Sequence, residues 1–183
     1  MSTAGTIFLV LGASGVGKDA LIRATRPRLL EHGFVFPRRW ITAGADRGED
    51  HIPVDDAEFD EAIRRGFLDL HWQAHGLRYA IPATVHDDLA AGRHVLVNVS
   101  RTVVAEARLR FARRRIVHVT ASADTLRLRL SERARENAAE ISERLERAAS
   151  FERSDDVVVF SNELPLAESA PLFANMILGA RRP

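Results

Sequence analysis

The stretch Thr6-Ile7-Phe8-Leu9-Val10-Leu11-Gly12-Ala13-Ser14-Gly15-Val16-Gly17-Lys18-Asp19-Ala20-Leu21-Ile22-Arg23-Ala24 decides the fold class. Residues 6–11 form a short apolar run of strand type, and 19–24 carry helix formers, so a strand leads into a glycine-rich turn and a helix leads out. Between them, Gly12-x4-Gly17-Lys18 has the spacing of a phosphate-binding loop. Its glycines let main-chain amides curl around phosphate oxygens, and the following helix turns the positive end of its dipole toward the anion. The lysine carries information of its own. Lys and Arg together number 26, and Lys18 is the only lysine among them. A guanidinium is a wide planar fork, whereas an ammonium is a compact charge that fits inside a ring of amides and reaches the β- and γ-phosphates of a nucleotide. A glycine-rich turn with no ligand is the alternative, and the order of strand, loop and helix counts against it.

The bulk composition sets limits around this reading. A chain of 183 residues with 46% hydrophobic content suits one globular domain with a sizeable core. A net charge of +1, with the signs interspersed, argues against a protein held to nucleic acid by phosphate contacts. The triplet Arg113-Arg114-Arg115 is the densest basic cluster, and it falls where a helix should end, so it reads as a complement to that helix's dipole. With no cysteine, disulfides, thiolate nucleophiles and cysteine zinc sites are excluded. The first residues lack a basic signal-peptide region and no apolar run reaches membrane-span length. A cytoplasmic protein with no membrane partner is expected. The sequence carries no signal for an oligomeric state.

Apolar stretches alternate with helical patterns, which indicates an α/β fold with a central parallel five-stranded sheet flanked by helices. Strands are expected at 6–11, 39–42, 94–99, 116–120 and 157–161. Asp55 with Glu58 marks a helix start and Gly66 its end, framing 56–65. A further helix starts after Pro82 and is closed by Gly92. Segments 67–74 and 77–81 look extended around Gly76, forming a small insertion, and 127–147 reads as an arginine-rich helical hairpin broken near Asn137. Pro27 is expected to kink or end the first helix early. Nothing repeats and no linker appears, so residues 1–183 are expected to form one domain, with an insertion at about 38–82 and an arginine-rich segment at about 131–145.

The phosphate loop, a polar insertion rich in aromatics and acids, the arginine-rich hairpin and a late strand ending Phe160-Ser161-Asn162 together resemble the guanylate-kinase-like nucleoside monophosphate kinases. Within that group the sequence is most similar to the ribose 1,5-bisphosphate phosphokinases of phosphonate breakdown. The runs that carry this are Gly17-Lys18-Asp19, Arg39-Trp40-Ile41-Thr42, Gly48-Glu49-Asp50-His51, 70–79 (LHWQAHGLRY), 95–101 (VLVNVSR), Arg133-Ala134-Arg135-Glu136 and Arg144-Leu145. The resemblance spans nearly the whole chain. It implies ATP and Mg²⁺ as cofactors, a small sugar bisphosphate as substrate, and transfer of a phosphoryl group to ribose 1,5-bisphosphate to give 5-phosphoribosyl 1-diphosphate.

Carried onto matching positions, the resemblance gives Gly12, Ala13, Ser14, Gly15, Val16, Gly17, Lys18 and Asp19 to ATP, with Asn162 beside adenine. Lys18, Arg133 and Arg144 become the catalytic charges, the two arginines closing as a lid. Substrate contacts fall to Arg39, Thr42, Arg47, Glu49, Asp50, His51, His71, Trp72, His75, Tyr79, Asn98, Ser100 and Arg101. Asp19 stands where most phosphate loops place the Ser or Thr that ligates Mg²⁺; a carboxylate also suits that ion, and a first-turn aspartate favoured by the helix dipole is the plainer reading. His71 and His75 have a spacing that can serve zinc on a helix, but this segment looks extended and lacks the glutamate of that motif. Trp72 reads equally well as pocket wall or as core.

Three departures mark the acceptor. Guanylate kinases read guanine with a glutamate nine residues before the second tyrosine of a Tyr-Tyr-Gly run, and counting back from Tyr79 reaches Leu70. Asp69 could substitute only through a one-residue slip that would turn it to the other face. Two aspartates of the following strand are replaced by Asn98 and Ser100, which lowers repulsion of a doubly phosphorylated sugar. GMP is therefore the disfavoured acceptor, and Leu70→Glu is expected to add weak GMP phosphorylation. The arginine usual after Ile-Thr is Ala43 here, so Arg47, Arg39 or Arg38 must take its place. Guanylate or other nucleoside monophosphate kinase activity and a non-catalytic guanylate-kinase-like interaction module are the alternatives, the latter ranked last because the loop and its lysine are intact.

Overall fold

The computed structural model describes residues 4–44, 50–131 and 154–181. In chain order they form β1 (Ile7–Leu11), α1 (Lys18–Leu30), β2 (Phe34–Val35), β3 (Arg39–Ile41), β4 (His51–Pro53), α2 (Asp56–Arg64), β5 (Leu68–Ala74), β6 (Leu77–Pro82), α3 (Val85–Ala90) and β7 (His94–Asn98). A 3₁₀ turn (Arg101–Val103), α4 (Val104–Arg110), β8 (Arg114–Thr120), α5 (Ala123–Ser131), β9 (Val157–Ser161) and α6 (Leu166–Gly179) complete the description. The strands make a five-stranded parallel sheet, in the order β2-β7-β1-β8-β9, and a four-stranded sheet, β4-β3-β6-β5. All five residues of β1 are buried, as its unbroken apolar run requires of a strand covered on both faces.

The parallel sheet has the five strands expected, but one of them is different. Strand 39–42 was expected in it, whereas β3 belongs to the smaller sheet, pairing parallel with β4 and antiparallel with β6. Its place is taken by β2, two residues long, which pairs with β7. An apolar run announces a strand without announcing its partner.

The residues fall into two compact units, Met1–Phe8 with Gly33–Arg114 and Leu9–His32 with Arg115–Pro183, the boundary lying inside β1. In the first, α2 covers one face of the small sheet, where Phe59, Ala62, Leu68 and Ala80 form a buried cluster flanked by Trp40, Val54 and Ile63. That helix begins as expected: the Asp55 carboxylate accepts from Glu58 N at 2.7 Å, and the Glu58 carboxylate accepts from Asp55 N at 2.9 Å. It ends at Gly66, whose φ of 71° lets the chain turn while its N–H donates to Ile63 O at 3.0 Å. Arg114 donates to the carbonyls of Arg108 at 3.1 Å and Phe111 at 2.8 Å, so one member of the basic triplet does serve the end of a helix.

In the second unit α1 runs on to Leu30 with Pro27 inside it, so the proline does not end the helix. Pro27 cannot donate to the carbonyl one turn back, a loss confined to the last turn and offset by tertiary packing. Leu29 is fully buried, and Arg28 donates to Asn175 Oδ1 of α6 at 2.6 Å. On the same helix α6, Phe173 meets Phe160 of β9 edge to face, with centroids 5.1 Å apart.

Candidate functional site: the phosphate loop and the small-sheet wall

The loop between β1 and α1 takes positive φ at Gly12 (149°), Gly15 (83°) and Gly17 (96°). Two of these positions admit no side chain. A Cβ at Gly12 would stand 2.2 Å from Val119 O, and one at Gly17 would stand 2.7 Å from Asn162 Nδ2. Gly17 caps α1 with no side-chain cap hydrogen bond, and the loop leads into a helix N-terminus, whose dipole favours an anion. Lys18 Nζ crosses the loop, donating to Gly12 O at 2.8 Å and Ala13 O at 2.9 Å. Ala13 and Gly15 are half-buried, Ser14 is exposed and Val16 is buried, so the loop rests on Val16. A compact ammonium within a glycine-shaped ring is a chemistry suited to phosphate oxygens. Asp19 is exposed in the first turn, where it suits a hydrated cation or the dipole; among the described residues no cluster of three or more His, Cys, Asp or Glu side chains is placed to hold a metal.

Asn162, expected beside adenine, is tied to the phosphate loop. It is buried and its Nδ2 donates to Val16 O at 2.8 Å. Arg129 of α5 reaches the same loop, donating to Val16 O at 3.3 Å and to Asn162 O at 2.8 Å. The adjoining Glu163 accepts from Ser122 N at 2.6 Å and from Thr125 Oγ1 at 2.6 Å. The Thr125 hydroxyl, followed by Ser122, holds the Glu163 carboxyl below the usual carboxylate value. Sequence reasoning missed Arg129 and Glu163. One is the second of two arginines in α5, with nothing local to set it apart from Arg127, and the other is marked only by the turn after β9.

His118 was also missed. It lies in β8 opposite Val159, 7% exposed, and burial, followed by the Lys18 ammonium, lowers its pKa from the ordinary 6.5. Because the folded value is the lower one, the unfolded chain takes up its proton first as pH falls. The contribution is intact above about 6.5 and is lost below it, toward the folded value. His118→Leu is therefore expected to flatten the decline of the thermal midpoint between pH 8 and pH 5, whatever its effect at pH 8. Parallel curves for the two proteins would show that His118 does not titrate with unfolding.

In the first unit, Trp72 and Tyr79 are paired across β5 and β6 and stack with centroids 5.6 Å apart at 6°. Arg39 lies 5.7 Å above the Tyr79 ring and donates to Asn98 O at 3.3 Å. Arg39, Trp72, Tyr79 and Asn98 thus form one connected group. Trp72 and Tyr79 are 8% and 6% exposed, so packing is the larger part of their role. Ser100 and Arg101 follow the carboxyl end of β7; the Ser100 hydroxyl caps the 3₁₀ turn, accepting from Thr102 N at 3.3 Å.

Other expected contacts are not brought together. His71 pairs with Ala80, on the face covered by α2 and opposite to Trp72, because successive strand residues alternate. His75 sits at the hairpin tip with φ 51°, followed by Gly76 at 73°, a two-residue turn of the mirror-image type that right-twisted strands favour. Neither histidine shares the Trp72 wall. Thr42 Oγ1 is engaged by Arg78 N at 2.9 Å. Asp50 pairs with Arg38 Nε at 2.7 Å, and the same arginine donates to the carbonyl of buried His51. Arg47, Glu49, Arg133 and Arg144 lie outside the described residues.

The β5 register shifts between Leu68 and His71, so Asp69 and Leu70 together oppose one residue of β6 and both are buried. Leu70 is fully inaccessible. Asp69 accepts from Arg110 Nη1 at 2.5 Å and lies 2.9 Å from His86 Nε2. Arg110→Ala would leave this buried carboxylate to His86 alone. The arginine side chain is 44% exposed, so solvent screening keeps the expected loss to about 1–3 kcal/mol in urea unfolding. No change in the urea midpoint would show that Arg110 is not needed there.

The fold is that of the guanylate-kinase-like phosphate-loop kinases. A guanylate kinase from Anaplasma phagocytophilum matches with TM-score 0.71 at 20% identity, over 99% of this chain and 88% of that one. No protein-family model matches the chain. It is 48% identical to the ribose 1,5-bisphosphate phosphokinase PhnN of Acidiphilium cryptum, covering 99% of this chain and 97% of that protein. The protein of the same name from Brucella melitensis is 41% identical over 92% of this chain and 90% of its own length. The chain belongs to the ribose 1,5-bisphosphate phosphokinase family.

Proposed function

We propose that residues 1–183 work as one kinase domain that phosphorylates ribose 1,5-bisphosphate with ATP, giving 5-phosphoribosyl 1-diphosphate and ADP. The observation that carries this is 48% identity, over 99% of the chain, to a protein bearing that activity in its name. The 1-phosphate oxygen attacks the γ-phosphorus as the bond from that phosphorus to the β-phosphate oxygen breaks, and ADP leaves with the electron pair. A phosphate monoester is already anionic at neutral pH, so no general base is required. Positioning and charge neutralisation do the rest.

Lys18 and the loop amides hold the donor phosphates. Asp19 is the residue that would hold Mg²⁺, which supplies charge neutralisation on the β- and γ-phosphate oxygens. Arg133 and Arg144 supply further positive charge as the lid. Arg39, Asn98, Ser100 and Arg101 receive the sugar bisphosphate, against the wall of Trp72 and Tyr79, with Arg47 and Glu49 nearby in sequence; His71 and His75 are set aside. A cytoplasmic location, where ATP is available, suits the reaction. Guanylate kinase activity is not favoured, because Leu70 and Asp69 are both committed elsewhere. The test is an assay with Mg-ATP and, in turn, ribose 1,5-bisphosphate, GMP and AMP. ADP released with the sugar bisphosphate alone is the expected result, and release only with a nucleotide would overturn the reading.

A further inference from the structure

The carbonyl of Val16, buried at the base of the phosphate loop, accepts from two side chains: Asn162 Nδ2 at 2.8 Å and Arg129 Nη1 at 3.3 Å. Both donors are themselves held. Asn162 is 4% exposed and its backbone N–H donates to Thr120 O at 2.8 Å. Arg129 also donates to Asn162 O at 2.8 Å and Leu164 O at 3.3 Å. Glu163 ties the same turn to the start of α5 through Ser122 Oγ at 3.0 Å and Thr125 Oγ1 at 2.6 Å. The turn after β9, the helix carrying Arg129 and the phosphate loop are thus one hydrogen-bonded unit.

The consequence for the loop follows from the planar trans peptide. In such a unit the C=O of one residue and the N–H of the next point to opposite sides. Drawing Val16 O toward Asn162 therefore turns the Gly17 N–H the other way, the orientation an anion-binding ring of amides needs. The Val16–Gly17 peptide is bordered on one side by Gly17, at φ 96°, and the absence of a Cβ there gives this peptide more freedom to rotate. A pin is what such a peptide lacks. Moreover, Asn162 Oδ1 is buried with no hydrogen-bond partner among the described residues. An unpaired buried acceptor is unfavourable, so an apolar side chain would serve packing better. What the amide contributes is its donor.

We propose that Asn162, assisted by Arg129, is a positioning residue that holds the Val16–Gly17 peptide in its phosphate-binding orientation, and so acts on the triphosphate rather than on adenine. This rests on the kinase reading only in taking a triphosphate as the ligand; the acceptor does not enter. The test compares the affinities of wild type and Asn162→Leu for Mg-ATP and for Mg-tripolyphosphate, which has phosphates and no base. Loss of one hydrogen bond that orients the loop is expected to weaken both by a similar factor, on the order of tenfold, with the KM for the acceptor unchanged. Weakened ATP binding with tripolyphosphate unaffected would assign Asn162 to adenine and overturn the proposal, as would no change in either. Should the leucine destabilise the free protein, Asn162→Ser removes the amide with less bulk and is judged by the same comparison. A wild-type protein that binds neither ligand would instead defeat the kinase reading itself.

Discussion

Lys18→Ala is expected to lower kcat by on the order of 10²–10³, the range found when one preorganised donor to developing charge is removed. The wild-type ammonium lies 2.8 Å from Gly12 O and 2.9 Å from Ala13 O, inside the arc of the loop, where its charge would neutralise bound phosphate. Alanine leaves that arc without its positive charge while the glycines keep the backbone path, so the thermal midpoint should move far less than the rate. Lys18→Arg is the sharper variant. It keeps the charge, but the planar fork is broader than the ammonium and carries its charge centre further out, so it too should lose most turnover. Turnover and ATP affinity at saturating acceptor are the measurements. Near-normal turnover by the arginine variant would mean that the loop needs a cation there but not a compact one, and the role assigned to Lys18 would fall.

The contrast between this loop and the substrate wall shows which features a sequence displays openly. Gly12 to Lys18 is a local signal: strand, glycines, lysine and helix follow one another, and the backbone angles at Gly12, Gly15 and Gly17 are those only glycine adopts easily. The capping pair Asp55 and Glu58 is local in the same sense. Pairing is not local. Residues 39–42 read correctly as extended, yet their partners are β4 and β6, and the two-residue β2 is too short to show any period. The β5 irregularity is hidden for a related reason, since an extra residue in one strand changes which side chains share a face without changing composition. His71, Trp72 and His75 therefore looked like one constellation and are a back face, a front face and a turn. Arg129 and Asn162 are 33 residues apart, yet Arg129 donates to Asn162 O at 2.8 Å and both donate to the loop at Val16 O, a contact no local pattern displays.

For the acceptor, kcat/KM with ribose 1,5-bisphosphate is expected to exceed that with GMP by at least about 10², the discrimination an apolar site shows against a ligand whose polar groups find no partner there. Guanine must bring its N–H donors out of water, and the two β5 residues nearest the expected reading position cannot meet them. Leu70 has no acceptor and is fully buried; Asp69 has one, already occupied by Arg110 at 2.5 Å and His86 at 2.9 Å. The burial of Leu70 also changes what a substitution there would do. Leu70→Glu, expected from the sequence to add weak GMP phosphorylation, places a carboxylate in apolar core beside the carboxylate of Asp69. Destabilisation of roughly 3–5 kcal/mol is the expected outcome, without new activity. The decisive measurement is kcat/KM for both acceptors on the wild-type protein at saturating Mg-ATP, with the Leu70→Glu urea midpoint as its structural companion. A preference for GMP would return the chain to guanylate kinase chemistry. A stably folded Leu70→Glu protein that phosphorylates GMP would show that position 70 faces the acceptor after all.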